Sequence, residues 1–310
     1  MTVAVPAPWK TSRYLLMIAL VVKPSLLDKS KFRKVLTGLN EFEPVLVKGE
    51  TVNSIKSEIE NLAKLDPNLT VVACGGDGTF HLALNSLPDL SIPLAVIPMG
   101  TGNDFARYLS IKHPKQAIDV LRNSTPVTMD MGTIELSDGG KLRFAGIASC
   151  GFDAQVNERA NTYRGPAGTL KYLAALAVEM ANLNSRQLSV SIDDGPVRTE
   201  EFTLIAVGNT SSYGGGLRMC PTANAYDQAF EVTYVEKITR RLLVRVLPKV
   251  FWGGHTKHRQ VRQTSAHKIE IAGDQFPIYA DGEKIGYGPV VVSVRPHAIR
   301  VWQASTGNTP

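Results

Sequence analysis

Three glycines and an aspartate follow an apolar strand-like run in VVACGGDGTFHLALNSL, Val71 to Leu87. Gly75, Gly76 and Gly78 allow positive φ angles and close approach of other groups to the backbone. A loop between a parallel strand and a helix is where open α/β sheets bind ligands, and the helix N-terminus favours phosphate. Asp77 at its tip would repel phosphate unless a divalent cation lay between them, so the stretch predicts a phosphate and metal site. The alternative is a tight turn in which Asp77 caps its own helix.

A second loop of the same kind occurs in PLAVIPMGTGNDFARYL, residues 93–109, which again reads strand, glycine loop, helix. Gly100 and Gly102 flank Thr101, and Asp104 stands in the first turn of the predicted helix. Two such loops after successive parallel strands would lie side by side at one edge of the sheet, and would form a phosphate and metal cleft. No Walker-type sequence is present and no G-x-G-x-x-G opens the first helix, which argues against those two nucleotide sites.

Alternating strands and helices position these loops. Apolar strands separated by amphipathic helices predict a parallel sheet covered on both faces. The run from Tyr14 to Val22 has nine residues, far fewer than the roughly 20 that span a bilayer, so we expect a buried first strand there. Asp28 is the expected cap of the helix that carries Phe32, Val35, Leu36 and Leu39. The further predicted strands are EPVLV, LTVVAC and PLAVIP, and the further helices carry Ile55, Ile59 and Leu62, then Phe80, Ala83, Leu84 and Leu87, then NDFARYL.

The pattern changes near Thr125. VTMDMGTIEL, the turn SDGG and KLRFAGIAS predict a hairpin, and one long helix is expected over 168–183, with Leu170, Leu173, Ala174, Ala177 and Met180 at helical spacing. Short strands with turn signals follow: RQLSVSID, EFTLIAVGN, AFEVTYV, KIEIAG, FPIYA, VVVSV and AIRVW. We therefore predict an α/β fold: a parallel-sheet domain over 1–125, joined by a C-terminal strand within 298–310, and a mainly antiparallel β-sandwich domain over 126–297.

Composition bounds the class of protein. The 310 residues are 44% hydrophobic and 20% charged, an ordinary globular balance, and the formal net charge is +6. That charge suits a nucleotide, a nucleic acid or an anionic membrane surface, but does not choose among them. No aromatic-basic interleaving supports nucleic acid. Cys74, Cys150 and Cys220 lie far apart with no metal spacing, which indicates buried thiols in a reducing compartment and a cytoplasmic protein.

The motifs resemble those of a known family. GGDGT followed by PMGTGNDFAR is similar to the catalytic domain of diacylglycerol kinases and their bacterial lipid-kinase relatives. GGDG alone is weaker, since NAD kinases and phosphofructokinases carry similar loops. The resemblance continues through VTMDMG, GFDAQV, VGNTSSYGGGLRMCPTA and YADGE, and covers nearly the whole chain.

The resemblance implies an ATP- and Mg²⁺-dependent kinase that phosphorylates diacylglycerol to phosphatidic acid, with ATP in the cleft between an α/β domain and a β-sandwich lipid domain. Asp77, Asp104 and Asp130 match the acidic residues of the family's catalytic magnesium network, and Glu283 matches its general base. The family's nucleotide-contacting positions correspond in this chain to Gly75, Gly76, Asp77, Gly78, Thr79 and Thr101. The family's structural magnesium site corresponds to Asn224, Asp227 and Ala229.

Two departures from the family pattern stand out. The family's first strand ends in N-P-x-S-G, whereas VVKPSLL keeps Pro24 but has Lys23 in place of the asparagine. The family also has D-G after the GGG segment, whereas this chain has Asp227 followed by Gln228, which disfavours a tight turn and weakens the structural magnesium prediction. The carboxylates themselves are intact, so an active enzyme is favoured over a catalytically silent lipid- or nucleotide-binding regulator.

The basic, apolar stretch Ile238 to Arg262 contains Phe251 and Trp252. It is either a transient docking surface for an anionic membrane or a helix packed on the sandwich with a solvated basic face. We expect peripheral association with the inner face of the membrane. Family members can dimerise, but no sequence signal marks an interface. Another lipid alcohol, such as a sphingoid base, ceramide or monoacylglycerol, is the alternative acceptor.

Overall fold

The computed structural model describes residues 16–49, 51–162 and 169–305, with the backbone alone over 169–173. The described fold is mixed α/β, with parallel strands in the N-terminal part and mainly antiparallel strands in the C-terminal part, as the sequence predicts. The N-terminal elements are β1 Ile18–Val22, α1 Ser30–Leu39, β2 Val45–Val47, α2 Val52–Leu65, β3 Thr70–Gly75, α3 Asp77–Ser86, β4 Leu94–Pro98, α4 Asp104–Tyr108 and α5 Pro114–Asn123. The C-terminal elements are β5 Val127–Leu136, β6 Lys141–Phe144, β7 Ile147–Gly151, α6 Phe152–Thr162, α7 Thr169–Ala181, β8 Arg186–Ile192, β9 Arg198–Gly208, β10 Phe230–Glu236, α8 Arg240–Val246, β11 Val261–Ala266, β12 Lys268–Ala272, β13 Pro277–Ala280, β14 Glu283–Tyr287 and β15 Val290–Val301.

The parallel strands run in the order β4–β3–β1–β2. Every residue of β1, β3 and β4 is buried, as is typical of parallel strands covered on both faces. The carboxyl ends of β3 and β4 lie in register, with Gly75 opposite Pro98. Both glycine loops therefore leave the sheet at the same edge.

β15 connects the antiparallel strands with the parallel strands. It pairs antiparallel with β5 and β12, and its end pairs parallel with β4, where Val301 lies opposite Leu94. The pairing with β5 is interrupted between Arg295 and Ile299, and His297 adopts a left-handed φ of 48° there. Beyond the strand, the N–H of Trp302 donates to the carbonyl of Leu94 at 3.2 Å.

Three strand predictions need correction. The arm KLRFAGIAS is not one strand: β6 ends at Phe144 and β7 begins at Ile147, pairing with β9 and β13 instead of β5. The N–H groups of Ala145 and Gly146 donate to the carboxylate of Asp281, which takes them out of the hairpin ladder. VVVSV and AIRVW form one strand, β15, and the polar strands β11 and β14 were missed because their apolar alternation is weak.

Two helix predictions also differ from the structure, and one helix was not predicted. Asp28 does not cap α1, because a 3₁₀ turn from Pro24 to Leu26 shifts the helix start, and Lys29 is the N-cap. The helix that was not predicted is α6, which begins at Phe152 within GFDAQV. In α7, Ala174 and Ala177 are exposed, whereas Ala175 is buried and Glu179 is buried in an ion pair with Arg159. The side chains at the predicted positions Leu170 and Leu173 lie outside the part of the chain that the structure describes.

β1 begins at Ile18, and residues 14 and 15 of the predicted first strand lie outside the described residues. In the described part of the chain, helices that combine the length and the apolar character needed to cross a bilayer are absent.

Candidate active site

The two glycine loops touch each other. The N–H of Met99 donates to the carbonyl of Gly75 at 2.8 Å. A Cβ atom placed on Gly100 would lie 2.5 Å from the Cα of Gly76, a separation that real side chains essentially never show. Glycine is needed at this contact because the two backbones occupy the space of a side chain. The predicted adjacency of the loops is thus confirmed.

Asp77 lies in the first turn of α3, where Gly76 is the N-cap. Its Oδ1 accepts the N–H of Phe105 at 3.0 Å. Asp77 therefore caps the first turn of α4, and the alternative interpretation as the cap of its own helix is wrong. The side chain bridges the two loops, which explains why a carboxylate stands at the tip of the first one.

Asp104 lies beside Asp77. Its Oδ1 is 2.5 Å from Nη1 of Arg107, and its Oδ2 accepts the N–H of Gly215 at 2.6 Å. Oδ2 of Asp77 and Oδ2 of Asp104 lie 3.0 and 3.2 Å from the position that a Cβ on Gly102 would occupy. The two carboxylates thus converge on one point above the second loop.

The environment of Asp77 disfavours the charge of its carboxylate. Burial raises the pKa of Asp77 above its ordinary value, and the charges of Asp104 and Asp281 raise it further. Hydrogen bonds from main-chain N–H groups oppose the increase. Among the described residues, no group of three His, Cys, Asp or Glu side chains is arranged to hold a metal ion. A pair of carboxylates nevertheless fits Mg²⁺, which proteins bind through one or two carboxylates together with substrate phosphates and water.

Glu283 reaches the same region from the C-terminal part of the chain. It is the first residue of β14, after a turn in which Asp281 and Gly282 have φ angles of 52° and 81°. A Cβ atom on Gly78 would overlap Oε1 of Glu283. The carboxylate therefore packs directly on the first turn of α3, one residue after Asp77.

A buried pair that the sequence analysis missed anchors this turn. Nδ1 of His81 lies 3.1 Å from Oδ2 of Asp281, and both side chains are more than nine-tenths buried. Asn85 fixes the ring: its Oδ1 accepts the N–H of Arg143, so its Nδ2 must face Nε2 of His81 at 3.2 Å. Nδ2 of Asn85 also donates to the main-chain carbonyls of His81 and Arg143, at 3.0 and 2.9 Å. Because a carboxylate only accepts, Nδ1–H of His81 donates to Asp281. The spacing of Asp77 and His81, one helical turn apart, was the available sequence signal.

A cavity of about 420 Å³ lies at the ends of β1 and β2. Thr79 lines it and is buried, with its side chain packed over Gly75. Lys23 lies at its rim and is exposed. The remaining lining residues are Val21, Val22, Pro24, Ser25, Gly49 and Leu82. Of the predicted nucleotide residues of the first loop, Thr79 lines this cavity, and it lies in the first turn of α3, the helix end that favours phosphate. Thr101, in the second loop, is exposed.

Asp130 has different partners. Its side chain is fully buried, and its two oxygens accept the N–H groups of Gln228 and His297, each at 2.7 Å. Asn209 donates to the carbonyl of Asp130 at 2.9 Å. The carboxylate thus ties the 224–229 turn to the interruption in β15, and these hydrogen bonds do not join it to Asp77. A catalytic role for Asp130 stays a prediction.

The three residues of the predicted structural magnesium site share one turn. The N–H of Asp227 donates to the carbonyl of Asn224 at 3.3 Å, and the N–H of Ala229 donates to Oδ1 of Asp227 at 3.2 Å. Gln228 adopts a left-handed φ of 67°, the conformation that glycine adopts without strain. The turn therefore closes through its own hydrogen bonds, and the magnesium site stays a prediction.

A second cavity, of about 360 Å³, lies in the C-terminal part of the chain and is lined mainly by apolar side chains. Tyr213 and Gly214 line one side of it, and the next residue, Gly215, donates its N–H to Asp104. The same loop thus borders both the apolar cavity and the acidic cluster. Such a cavity suits acyl chains, and the cluster beside it suits phosphate chemistry.

Comparison with known proteins gives the family. Residues 27–134 match the family model of the diacylglycerol kinase catalytic domain, and residues 146–303 match that of the YegS C-terminal NAD kinase beta sandwich-like domain. A diacylglycerol kinase of Mycobacterium tuberculosis is 35% identical over 239 residues, covering 76% of this chain and 77% of the relative. A probable YegS-like lipid kinase of Stenotrophomonas maltophilia is 33% identical over 246 residues, covering 74% and 77%.

Solved structures show the same fold. The structure of a putative diacylglycerol kinase from Bacillus anthracis superposes with a TM-score of 0.75 at 18% identity, covering 95% of this chain and 98% of that one. An NAD kinase from Archaeoglobus fulgidus in complex with ATP gives a TM-score of 0.54 at 13% identity, covering 93% of each chain. The family models and the curated relatives together show that the chain belongs to the diacylglycerol kinase and YegS-like family of lipid kinases.

Proposed function

We propose that the protein transfers the γ-phosphoryl group of ATP to the free hydroxyl of diacylglycerol and so forms phosphatidic acid and ADP. The observation that carries this proposal is the position of Glu283, packed on Gly78 in the first turn of α3 beside Asp77 and Asp104. A carboxylate from the C-terminal part of the chain thus packs on the first turn of α3, the helix end at which phosphate is favoured.

Each group in this arrangement has a defined task. Glu283 accepts the proton of the lipid hydroxyl as its oxygen forms the new bond to phosphorus and the bond to the ADP oxygen breaks. Asp77 and Asp104 would hold Mg²⁺, which neutralises phosphate charge when bound. The N–H groups of the first turn of α3, together with Lys23 at the rim of the nearby cavity, orient the nucleotide phosphates.

The apolar cavity supports a lipid acceptor. Its lining is formed by α6, α8 and the segments around them, and it borders the 213–215 loop that binds Asp104. A diacylglycerol whose acyl chains enter this cavity would have its polar end directed towards the acidic cluster. Since diacylglycerol resides in bilayers and ATP in the cytoplasm, the proposal has the protein acting at the inner face of the membrane as a peripheral enzyme.

The proposal is tested by transfer of radiolabelled γ-phosphate from ATP and Mg²⁺ in mixed micelles. Diacylglycerol, monoacylglycerol, sphingosine and ceramide are offered in parallel to wild type, to Glu283→Gln and to a control, Glu135→Gln, whose residue is exposed on β5. We expect label in phosphatidic acid, a loss of at least a hundredfold in Glu283→Gln, and no change in the control.

Label in another lipid would retain the mechanism and replace the acceptor. Absence of label in every lipid, with ATP still bound, would contradict the proposal and favour a silent lipid- or nucleotide-binding regulator.

A further inference from the structure

One segment covers the apolar cavity on its outer side. We call residues 240–252 the roof; it consists of α8 and a 3₁₀ turn from Leu247 to Trp252. Leu243, Val246 and Val250 are buried in the roof and line the cavity. The inner face of the roof is therefore part of the cavity wall.

The outer face of the roof exposes large apolar side chains to solvent. Val244, Phe251 and Trp252 have 55%, 56% and 64% of their surface exposed. Phe251 also lines the cavity, so the cavity reaches the surface beside an exposed aromatic ring. Three large apolar side chains exposed within one segment of 13 residues are unusual for a surface that faces only water. Such a cluster marks an interaction surface.

The same outer face is positively charged. Arg240, Arg241, Arg245 and Lys249 are exposed, and none of them has an ion-pair partner in the described part of the chain. The neighbouring cations differ, since Lys237 pairs with Glu201 and Arg262 with Glu236. The sequence between Lys237 and Ile269 contains no aspartate or glutamate. The roof therefore combines uncompensated cations with exposed aromatic and aliphatic groups.

We propose that the roof is the docking surface of the protein for an anionic lipid bilayer, with Trp252 and Phe251 inserted at the headgroup level and the four cations on anionic headgroups. Charge complementarity selects an anionic partner, and exposed tryptophan beside arginine and lysine suits the interface between headgroups and acyl chains. A bilayer, unlike a protein or nucleic acid, would also supply the occupant of the cavity that the roof covers.

The link to the active site is structural. The N–H of Arg218 donates to the carbonyl of Val250 at 3.1 Å, and the same loop donates from Gly215 to Asp104. Docking through the roof would place the mouth of the cavity on the membrane, with the acidic cluster on the cytoplasmic side of the loop. The inference rests on the proposed function only for the identity of the lipid that enters the apolar cavity.

The test is vesicle binding in the absence of ATP. Wild type, Arg241→Gln/Arg245→Gln/Lys249→Gln and Trp252→Phe are sedimented with vesicles of phosphatidylcholine alone or with phosphatidylglycerol. The matched control carries the same charge change on the exposed face of α1, Lys31→Gln/Arg33→Gln/Lys34→Gln. Phosphorylation of a water-soluble, short-chain diacylglycerol by each variant measures catalysis without a bilayer.

We expect wild type and the α1 control to bind the anionic vesicles alike, and the roof triple variant to bind at least tenfold more weakly with unchanged activity on the soluble substrate. In a Trp9→Phe background, which leaves Trp252 and Trp302 as the two tryptophans, emission should shift to shorter wavelength on binding. Adding Trp252→Phe should abolish that shift, because Trp302 is already buried.

The inference is overturned by equal loss of binding in the α1 control, by no wild-type binding to anionic vesicles, or by roof-dependent binding to RNA or to a second copy of the chain in place of vesicles. Vesicle binding without kinase activity would instead refute the proposed function and leave the docking surface standing.

Discussion

His81 on α3 and Asp281 in the turn between β13 and β14 are 200 positions apart in the sequence, and the imidazole Nδ1–H donates to the carboxylate across 3.1 Å. The same carboxylate accepts the N–H groups of Ala145 and Gly146. Asp281 therefore links the turn that carries Glu283 with α3, the helix that carries Asp77. We infer that His81 is a positioning residue for the proposed base.

Replacing His81 with alanine should lower kcat on diacylglycerol by about 10- to 100-fold, since small displacements of a reacting group cost that much. The KM for ATP should stay within about twofold, because His81 does not line the cavity at Lys23. Steady-state kinetics on both substrates check this. His81→Gln, whose amide can still donate, should recover part of the rate; equal loss in both variants would contradict a positioning role.

Gly78→Ala should separate activity from stability. The new methyl group overlaps Oε1 of Glu283, and the end of that flexible side chain can move away at little cost. Alanine also favours the helix over glycine by roughly 0.5–1 kcal/mol. We expect kinase activity to fall by at least tenfold while the thermal midpoint stays equal or rises. Unchanged turnover would show that the observed position of Glu283 is not the working one.

Asp130→Asn distinguishes a structural from a catalytic aspartate. An amide cannot accept two N–H groups on its two ends, so one of the N–H groups of Gln228 and His297 would be left unpaired in a buried site. The expected loss is on the order of 1–3 kcal/mol in the free energy of unfolding, measured by urea denaturation. Activity of the folded fraction should persist; a fully folded but inactive variant would place Asp130 in the catalytic network.

Asp153→Asn should change how stability depends on pH. Burial raises the pKa of Asp153 to about 6, against the effect of the nearby Ser149 and Tyr213 side chains. Because the folded state holds this proton more tightly than the unfolded state, the contribution is stabilising below the unfolded pKa of about 4 and is lost as pH rises to about 6.

Across that interval wild type should lose on the order of 3 kcal/mol relative to Asp153→Asn, as a shift of about two pKa units requires. Urea denaturation of both proteins at pH values from about 4 to 7 measures the difference. Parallel curves would show that Asp153 ionises normally in the folded protein.

The parts of the site that the sequence could predict are local. Asp77 and Asp104 stand in glycine loops after adjacent strands, and parallel-sheet geometry alone brings such loops together. Glu283 lies in a turn whose importance only the family resemblance indicated. No periodicity links His81 to Asp281, because their contact depends on how the antiparallel part docks on α3.

Other features depend on backbone details that composition does not encode. The partners of Asp130 are N–H groups that a left-handed Gln228 and the interruption of β15 near His297 turn towards it. The start of α1 moved because a 3₁₀ turn beginning at Pro24 replaced the expected cap at Asp28. Propensity patterns place helices and strands, but they do not place bulges or short turns.

The pairing of β15 with β4 has a consequence for the order of folding. Residues 298–304 leave the ribosome after strands β5 to β14, yet Val301, Trp302 and Ala304 pair with or donate to the parallel half at Leu94 and Leu109. During synthesis the edge of β4 that pairs with β15 therefore remains unpaired while the intervening chain emerges. An unpaired apolar edge is a template for aggregation, so the nascent protein is most vulnerable in the interval after β4 has formed and before β15 has emerged to pair with it.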